Sequence, residues 1–193
     1  MKKLLLITTL LVCTIATAQV GIGTTTPSAA LDIQSPSDNL PVLKLNPQSN
    51  PIGTAAGQIS VIGDRLFLYD ATRSKWLSVE TSIFSFGDQG NINSGNLEYA
   101  GDIRDSGPRI TENASIVYLT INSTSGDQDK RISIDITDAT GTVTEHEFQL
   151  VNGRLMLENL DIEVESGDLI QIRALTGEPI RGLSATFWTK FRN

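Results

Sequence analysis

Residues 82–193 alternate apolar and polar side chains, and no stretch there keeps the helical period over ten residues. The clearest example is Arg131–Thr137, in which isoleucines occupy every second position. This period is typical of a β-strand with one buried face. Strands are predicted at Ser82–Phe86, Leu97–Ile103, Ser115–Asn122, Arg131–Thr137, Thr142–Leu150, Leu155–Leu157, Asp161–Glu165, Leu169–Ala174 and Leu183–Arg192. So many short strands, separated by glycine-rich turns, predict an all-β chain with an antiparallel, jelly-roll-like β-sandwich over residues 81–193.

Residues 57–80 predict a small β-meander ahead of the sandwich. Three strand-length runs, Gln58–Ile62, Arg65–Asp70 and Lys75–Val79, are separated by two short turns. Tyr69 and Trp76 lie on neighbouring runs, where cross-strand packing is the favoured interpretation. The alternative is that these two aromatic rings bind a carbohydrate.

Residues 19–56 have a different composition, with five of the seven prolines and many Ser, Thr, Asn and Gln residues. Such a segment buries too little apolar surface to fold alone. Two pieces, Ala29–Ile33 and Leu40–Leu45, are each long enough for one strand. We therefore expect an extended stalk or linker that needs a partner surface.

The first 18 residues have the pattern of a secretory signal peptide. Lys2 and Lys3 precede the apolar run Leu4–Val12, and the small residues Ala16 and Ala18 follow it. Cleavage is predicted between Ala18 and Gln19, which places the mature protein outside the cell or on its outer surface, with no membrane span. The alternatives are a retained membrane anchor and a lipoprotein acylated at Cys13.

Cleavage would leave 13 basic and 22 acidic residues and remove the only cysteine. The mature protein is then acidic and has no thiol, which excludes disulfides and thiolate metal sites. An acidic chain without a basic stripe also disfavours nucleic acid as a partner.

Several amino-terminal motifs resemble those of secreted Bacteroidota proteins and of related phage tail-fibre-like proteins. The motifs are Val20–Pro27 (VGIGTTTP), Ala30–Ile33, Leu40–Leu45, Gly57–Ile59, Leu66–Asp70 and Lys75–Leu77. The resemblance implies an extended, often trimeric stalk that presents a variable carboxy-terminal module. The segments Leu160–Glu165 and Gly167–Arg173, with the following aromatic strand, are similar to jelly-roll heads of tail-fibre tips and of the tumour-necrosis-factor-like group, which implies a trimeric head.

The sequence offers little support for an enzyme. The single histidine, His146, alternates with two glutamates in a predicted strand and has no second histidine to share a metal. No Gly-x-Ser-x-Gly turn occurs, and Gly21-Ile22-Gly23 precedes a strand instead of following one. Calcium could be held near Asp127 and Asp129 only with further oxygen ligands. No catalytic residue and no cofactor is predicted.

Two polar loops are the predicted places for ligand binding, because loops on a rigid sandwich often carry recognition. The first is Gly87–Asn96, with Asn91 and Asn93, and the second is Gly101–Arg109. The second contains Asp102, Arg104 and Asp105.

Together these observations predict a secreted, non-catalytic, fibre-like surface protein. We expect a homotrimer whose sandwich mediates attachment or assembly, with a surface glycan or another surface protein as partner. A monomeric carbohydrate-binding module, suggested by Tyr69, Trp76 and Trp188, is the alternative, and a secreted hydrolase is the third hypothesis.

Overall fold

The computed structural model describes residues 19–35, 39–101, 103–124 and 129–193. The predicted signal peptide and its Ala16 and Ala18 lie outside these ranges. Every regular element in the described ranges is a β-strand, which confirms the predicted all-β fold. The chain divides into two compact units, residues 1–46 and 47–193.

The first unit contains one small parallel sheet, formed by β1 (Val20–Ile22) and β2 (Leu31–Ile33). Asp32 accepts hydrogen bonds from the backbone and the hydroxyl of Ser28, and the pKa of its carboxyl is lowered by these two bonds. Of the piece Ala29–Ile33, only the last three residues form a strand. Leu40–Leu45, the other piece long enough for a strand, forms none, since no described residue offers this exposed segment a hydrogen-bonding edge.

The second unit begins with the predicted β-meander. Its strands are β3 (Ile59–Ile62), β4 (Arg65–Asp70) and β5 (Lys75–Ser78), paired antiparallel in that order. Asp70 shapes the second turn, because its side chain accepts hydrogen bonds from the backbone N–H groups of Thr72 and Arg73.

Two larger sheets follow the meander and form a jelly-roll-like sandwich. The strands are β6 (Ser82–Ile92), β7 (Gly95–Asn96), β8 (Glu98–Tyr99), β9 (Ala114–Asn122), β10 (Lys130–Thr137), β11 (Val143–Leu150), β12 (Arg154–Leu157), β13 (Ile162–Val164), β14 (Leu169–Ala174) and β15 (Ile180–Phe191). One sheet has the order β11-β10-β14-β7, and the six-stranded sheet has the order β12-β9-β15-β6-β8, with β13 also paired to β9. The chain crosses repeatedly between the sheets, as a jelly roll requires. The predicted strand Leu97–Ile103 is reduced to Glu98–Tyr99, because the chain reverses at Ala100 and Gly101, which both have positive φ.

The core lies between these sheets and consists of the inward positions of both. Ile132, Ile134 and Ile136 of β10 are buried against the other sheet's side chains, which include Leu119 and Phe187. The alternation in Arg131–Thr137 therefore has its predicted buried face. The opposite face is covered as well at Asp135, whose Oδ2 accepts a hydrogen bond of 2.7 Å from Arg173 Nε.

Arg73 fastens the meander to the sandwich. Its guanidinium, 8% exposed, donates hydrogen bonds to the carbonyl oxygens of Val117, Glu158 and Leu160 and pairs with Asp70 at 2.5 Å. Hydrogen bonds from a buried cation to carbonyl oxygens are among the stronger ones in proteins. The meander and the sandwich are therefore held together by specific bonds within one compact unit.

Further contacts act at the same junction. Lys75 Nζ lies 2.9 Å from Asp161 Oδ1 and 2.5 Å from Glu163 Oε1. The backbone N–H of Phe191 donates to Ser78 Oγ at 3.0 Å, and Leu77 forms a β-bridge with Arg192.

Replacing Arg73 with alanine is expected to lower the free energy of unfolding by about 2–4 kcal/mol, since the half-buried Asp70 carboxylate and several carbonyl oxygens lose their donor. Urea unfolding followed by circular dichroism measures this change. The control is Arg131→Ala, which removes one exposed ion pair with Glu147 and should cost less than about 1 kcal/mol. Equal losses from both variants would contradict the role given to Arg73.

Acid should weaken the same junction. The pKa of Glu163 is lowered by the hydrogen bond from Lys75. Burial raises the pKa of Asp70, but hydrogen bonds from Arg73 outweigh this and leave it below its ordinary value of 3.8. A carboxylate with a lowered folded pKa stabilises the protein above its unfolded pKa, and this stabilisation is lost as pH falls through the folded value.

We therefore expect the thermal midpoint to fall as pH decreases from about 5 to about 3. Glu163→Gln should lower the midpoint at neutral pH and flatten its decline in acid. Differential scanning calorimetry across this range tests both effects. Curves for the two proteins that are separated by the same amount at every pH would count against the role of Glu163.

Candidate functional site

Tyr69 and Trp76 pack on each other across the meander, which confirms the predicted cross-strand contact. They are register partners with ring centroids 5.4 Å apart in an edge-on arrangement. Trp76 is 7% exposed and donates from Nε1 to the carbonyl oxygen of Pro51 at 2.9 Å. Gly53 lies so close to the Tyr69 ring that an added Cβ would be 1.9 Å from Cδ2. These contacts leave little of the indole surface open to a ligand.

The predicted recognition loop Gly87–Asn96 is mostly strand, so its assignment as a loop is wrong. Residues up to Ile92 belong to β6, and Asn91 pairs with Arg181 of β15. A sheet ladder uses backbone groups, so polar side chains do not prevent pairing. Asn91 and Asn93 are both exposed, and Asn93 lies in the turn before β7, where its carbonyl accepts a hydrogen bond from the buried Lys130.

The second predicted loop brings Arg104 to two acidic residues. Arg104 forms ion pairs with Asp88 at 2.7 Å and with Glu98 at 2.5 Å. Asp105 is exposed, and Asp102 lies outside the described residues. Asp88 and Glu98 line a cleft of about 490 Å³. Both carboxylates are already paired with Arg104, so neither one offers an unpaired charge to a ligand in the cleft.

No metal centre is found in the ranges that the structure describes, where no three His, Cys, Asp or Glu side chains cluster suitably. His146 is half-buried on β11 and pairs in register with Ile134. Asp129 accepts a hydrogen bond from the Asn152 backbone, while Asp127 lies outside the described residues.

The outer face of the six-stranded sheet carries an apolar row made of Ile83, Trp188, Tyr118 and Met156. The first three are direct register partners on β6, β15 and β9, and Met156 follows on β12, diagonal to Tyr118. Ile83 is 60% exposed, Tyr118 42% and Met156 68%. The rings of Tyr118 and Trp188 are perpendicular, with centroids 6.4 Å apart. Four large side chains thus lie at the surface of one continuous sheet.

This apolar row continues onto the meander. Leu68 and Leu77 are register partners there and line a pocket of about 200 Å³ together with Tyr118. Tyr118 also lines a second pocket of about 340 Å³ with Met156 and Trp188. Leu68 and its register partner Ile59 are exposed. The apolar surface therefore continues from the sandwich, past Tyr118, onto the meander.

The other sheet has an outer face of a different kind. Arg173 bridges Asp135 at 2.7 Å and Glu145 at 2.6 Å. Arg131 pairs with Glu147 at 3.0 Å. That face is covered by charges that are paired within the chain, whereas the six-stranded sheet exposes the apolar row.

Sequence reasoning missed three members of the apolar row, Ile83, Tyr118 and Met156. Strand alternation does indicate the outward position of Trp188, because its neighbour Phe187 is buried and successive residues face opposite sides of a sheet. The side-by-side arrangement of the row depends on the order of four strands, which the sequence does not display.

No protein-family model matches the chain, and a search of curated proteins found no match. Among solved structures, the chain is similar to the globular domain of zebrafish complement 1qA protein, with 17% identity over 57% of this chain and 98% of that chain and a TM-score of 0.37. It is also similar to a structure of infectious bursal disease virus Gt strain, with 10% identity over 69% of this chain and 49% of that chain and a TM-score of 0.25. Because these scores are low, the fold is taken from the sheet topology alone.

Within the described residues, no helix has the length and hydropathy needed to span a membrane.

Proposed function

We propose that this chain is a secreted, non-catalytic, fibre-like surface protein whose β-sandwich self-associates as a homotrimer and mediates attachment or assembly. The observation that carries the proposal is the exposed apolar row on the six-stranded sheet. Exposed apolar patches of several hundred Å² on soluble proteins mark interaction sites. A second copy of the chain could cover this row without any other kind of molecule.

The contrast between the two outer faces supports this arrangement. In a ring of three copies, each six-stranded sheet can face the axis and bury its apolar row. The four-stranded sheets, with the Arg173 and Arg131 ion pairs, then face solvent. Closed symmetry of this kind also leaves no copy with an uncovered apolar surface.

Export and the type of protein are supported by the sequence. The signal-peptide pattern of residues 1–18 favours a location outside the cell or on its outer surface. The VGIGTTTP motif at Val20–Pro27 resembles stalks of Bacteroidota surface proteins and tail fibres. Exposed apolar residues in the first unit, such as Val20, Leu40 and Leu43, are suited to a segment that is covered on assembly.

A non-catalytic role is part of the proposal. The chain has one histidine, and the described residues contain no cluster suited to a metal. In the cleft lined by Asp88 and Glu98, both carboxylates are paired with Arg104.

Carbohydrate binding is the second candidate, and the exposure of Tyr118 and the part-exposure of Trp188 favour it. Aromatic rings that bind sugars usually present a face to the ligand. Here the two ring planes meet at 90°, so they do not form one flat platform. This function would place the glycan on the surface that the trimer buries, which makes the two candidates separable.

The mature chain from Gln19 is expected to have three times the monomer mass in sedimentation equilibrium at micromolar concentration. Trp188→Glu should give a folded monomer, because a carboxylate in the centre of the apolar row cannot be buried without a partner. The matched control is Val143→Glu, at an exposed valine on β11 of the other sheet, which should leave the mass unchanged.

A monomeric wild-type protein would refute the trimer. If that monomer also bound a glycan array and Trp188→Ala abolished the binding while circular dichroism stayed unchanged, the carbohydrate function would replace it.

A further inference from the structure

Two charged side chains beside the apolar row have no ion-pair partner. Among the described residues, neither the Lys190 ammonium nor the Glu158 carboxylate takes part in a salt bridge or a hydrogen bond. Most other charges on this part of the molecule are paired, as Lys75 is with Asp161 and Glu163. The Arg154 guanidinium, two residues before Met156 on β12, is likewise unpaired among the described residues and lines a pocket with Met156. Unpaired charges of both signs therefore border the same apolar surface.

These two charges lie in different pockets that meet at Tyr118. Lys190 is on β15, two residues after Trp188, and lines the pocket between the meander and Tyr118. Glu158 directly follows β12 and lines the pocket formed by Met156, Trp188 and Tyr118. Lys190 and Glu158 thus lie on opposite sides of an aromatic residue.

Covering the apolar row removes water from both charges. An ion that loses its hydration without gaining a partner costs free energy, so a neutral apolar partner would oppose its own binding. A second copy of this chain avoids that cost, because it carries unpaired charges of both signs on the same surface. Lys190 of one copy can meet Glu158 of the next, and the two apolar rows are covered in the same contact.

We propose that copies of this chain associate through this surface, with Lys190 of each copy paired to Glu158 of its neighbour. The inference rests on the proposed self-association. It specifies which residues meet and in which direction neighbouring copies are arranged. Because the two charges lie on opposite sides of Tyr118, the contact joins the Lys190 side of one copy to the Glu158 side of the next. Contacts of this head-to-tail type close into rings when the rotation allows.

Charge reversal tests the pairing in the full mature chain. Lys190→Glu and Glu158→Lys each place like charges opposite one another, and each should weaken the association constant by at least about tenfold. The double variant, Lys190→Glu with Glu158→Lys, restores opposite charges and should recover most of the wild-type association. Mass photometry and sedimentation velocity over a concentration series at low salt measure the change.

The matched control uses an ion pair on the other sheet. Arg131 and Glu147 pair within one chain and are both exposed, so Arg131→Glu and Glu147→Lys should leave association unchanged. Circular dichroism and thermal unfolding of every variant show whether the fold is retained.

The outcomes separate the two proposals. If the wild type is a trimer and the single reversals do not weaken it, the Lys190–Glu158 pairing is wrong and the trimer stands. If the single variants weaken association in folded proteins but the double variant does not recover it, the pairing is also wrong, because the residues then act separately. A monomeric wild type overturns both proposals.

Discussion

The strand β15 (Ile180–Phe191) is the constraint on which the rest of this structure depends. It pairs along one edge with β6 and along the other with β9, so it joins the beginning of the sandwich to its middle. Its end also contacts the meander, where the Phe191 backbone donates to Ser78 and the Asn193 backbone donates to Trp76. One long central strand therefore holds the six-stranded sheet together and fixes the meander against it.

The same strand separates the core from the proposed interface. Phe187 is fully buried and packs near Phe84 and Phe86, whereas the adjacent Trp188 lies on the outer face beside Tyr118. Successive residues of a strand face opposite sides of a sheet, so shifting the register by one residue would exchange these two rings. The pairing of β15 with its two neighbours thus determines both stability and the apolar row.

The sequence was most informative where side-chain alternation follows the sheet. Arg131–Thr137 and Leu169–Ala174 were predicted almost to the residue because the inward apolar positions of both strands are isoleucine or alanine. It was least informative where backbone pairing decides the structure. Gly87–Ile92 has few apolar residues yet extends β6, while the apolar Leu40–Leu45 has no described strand to pair with.

Buried polar contacts were beyond sequence reasoning for a related reason. Lys130 is the first residue of β10 and would be expected at the surface, yet it is 2% exposed. Its ammonium donates to the backbone carbonyls of Asn93 and Glu178, which lie 37 and 48 residues away in the chain, and burial lowers its pKa. Arg73 is comparable, since three of its acceptors are also backbone carbonyls. Carbonyl oxygens leave no trace in the sequence, so only the fold shows which charges they can bind.

The two faces of the sandwich differ chiefly in where their charges find partners. On the four-stranded sheet, Arg173 satisfies Asp135 and Glu145 within the chain, so burying that face would remove water from these charges without forming a new pair. On the six-stranded sheet, Lys190 and Glu158 are unpaired beside exposed aromatic rings, and association would form a pair without breaking one. The proposed association would therefore cost less free energy through the six-stranded sheet than through the four-stranded one.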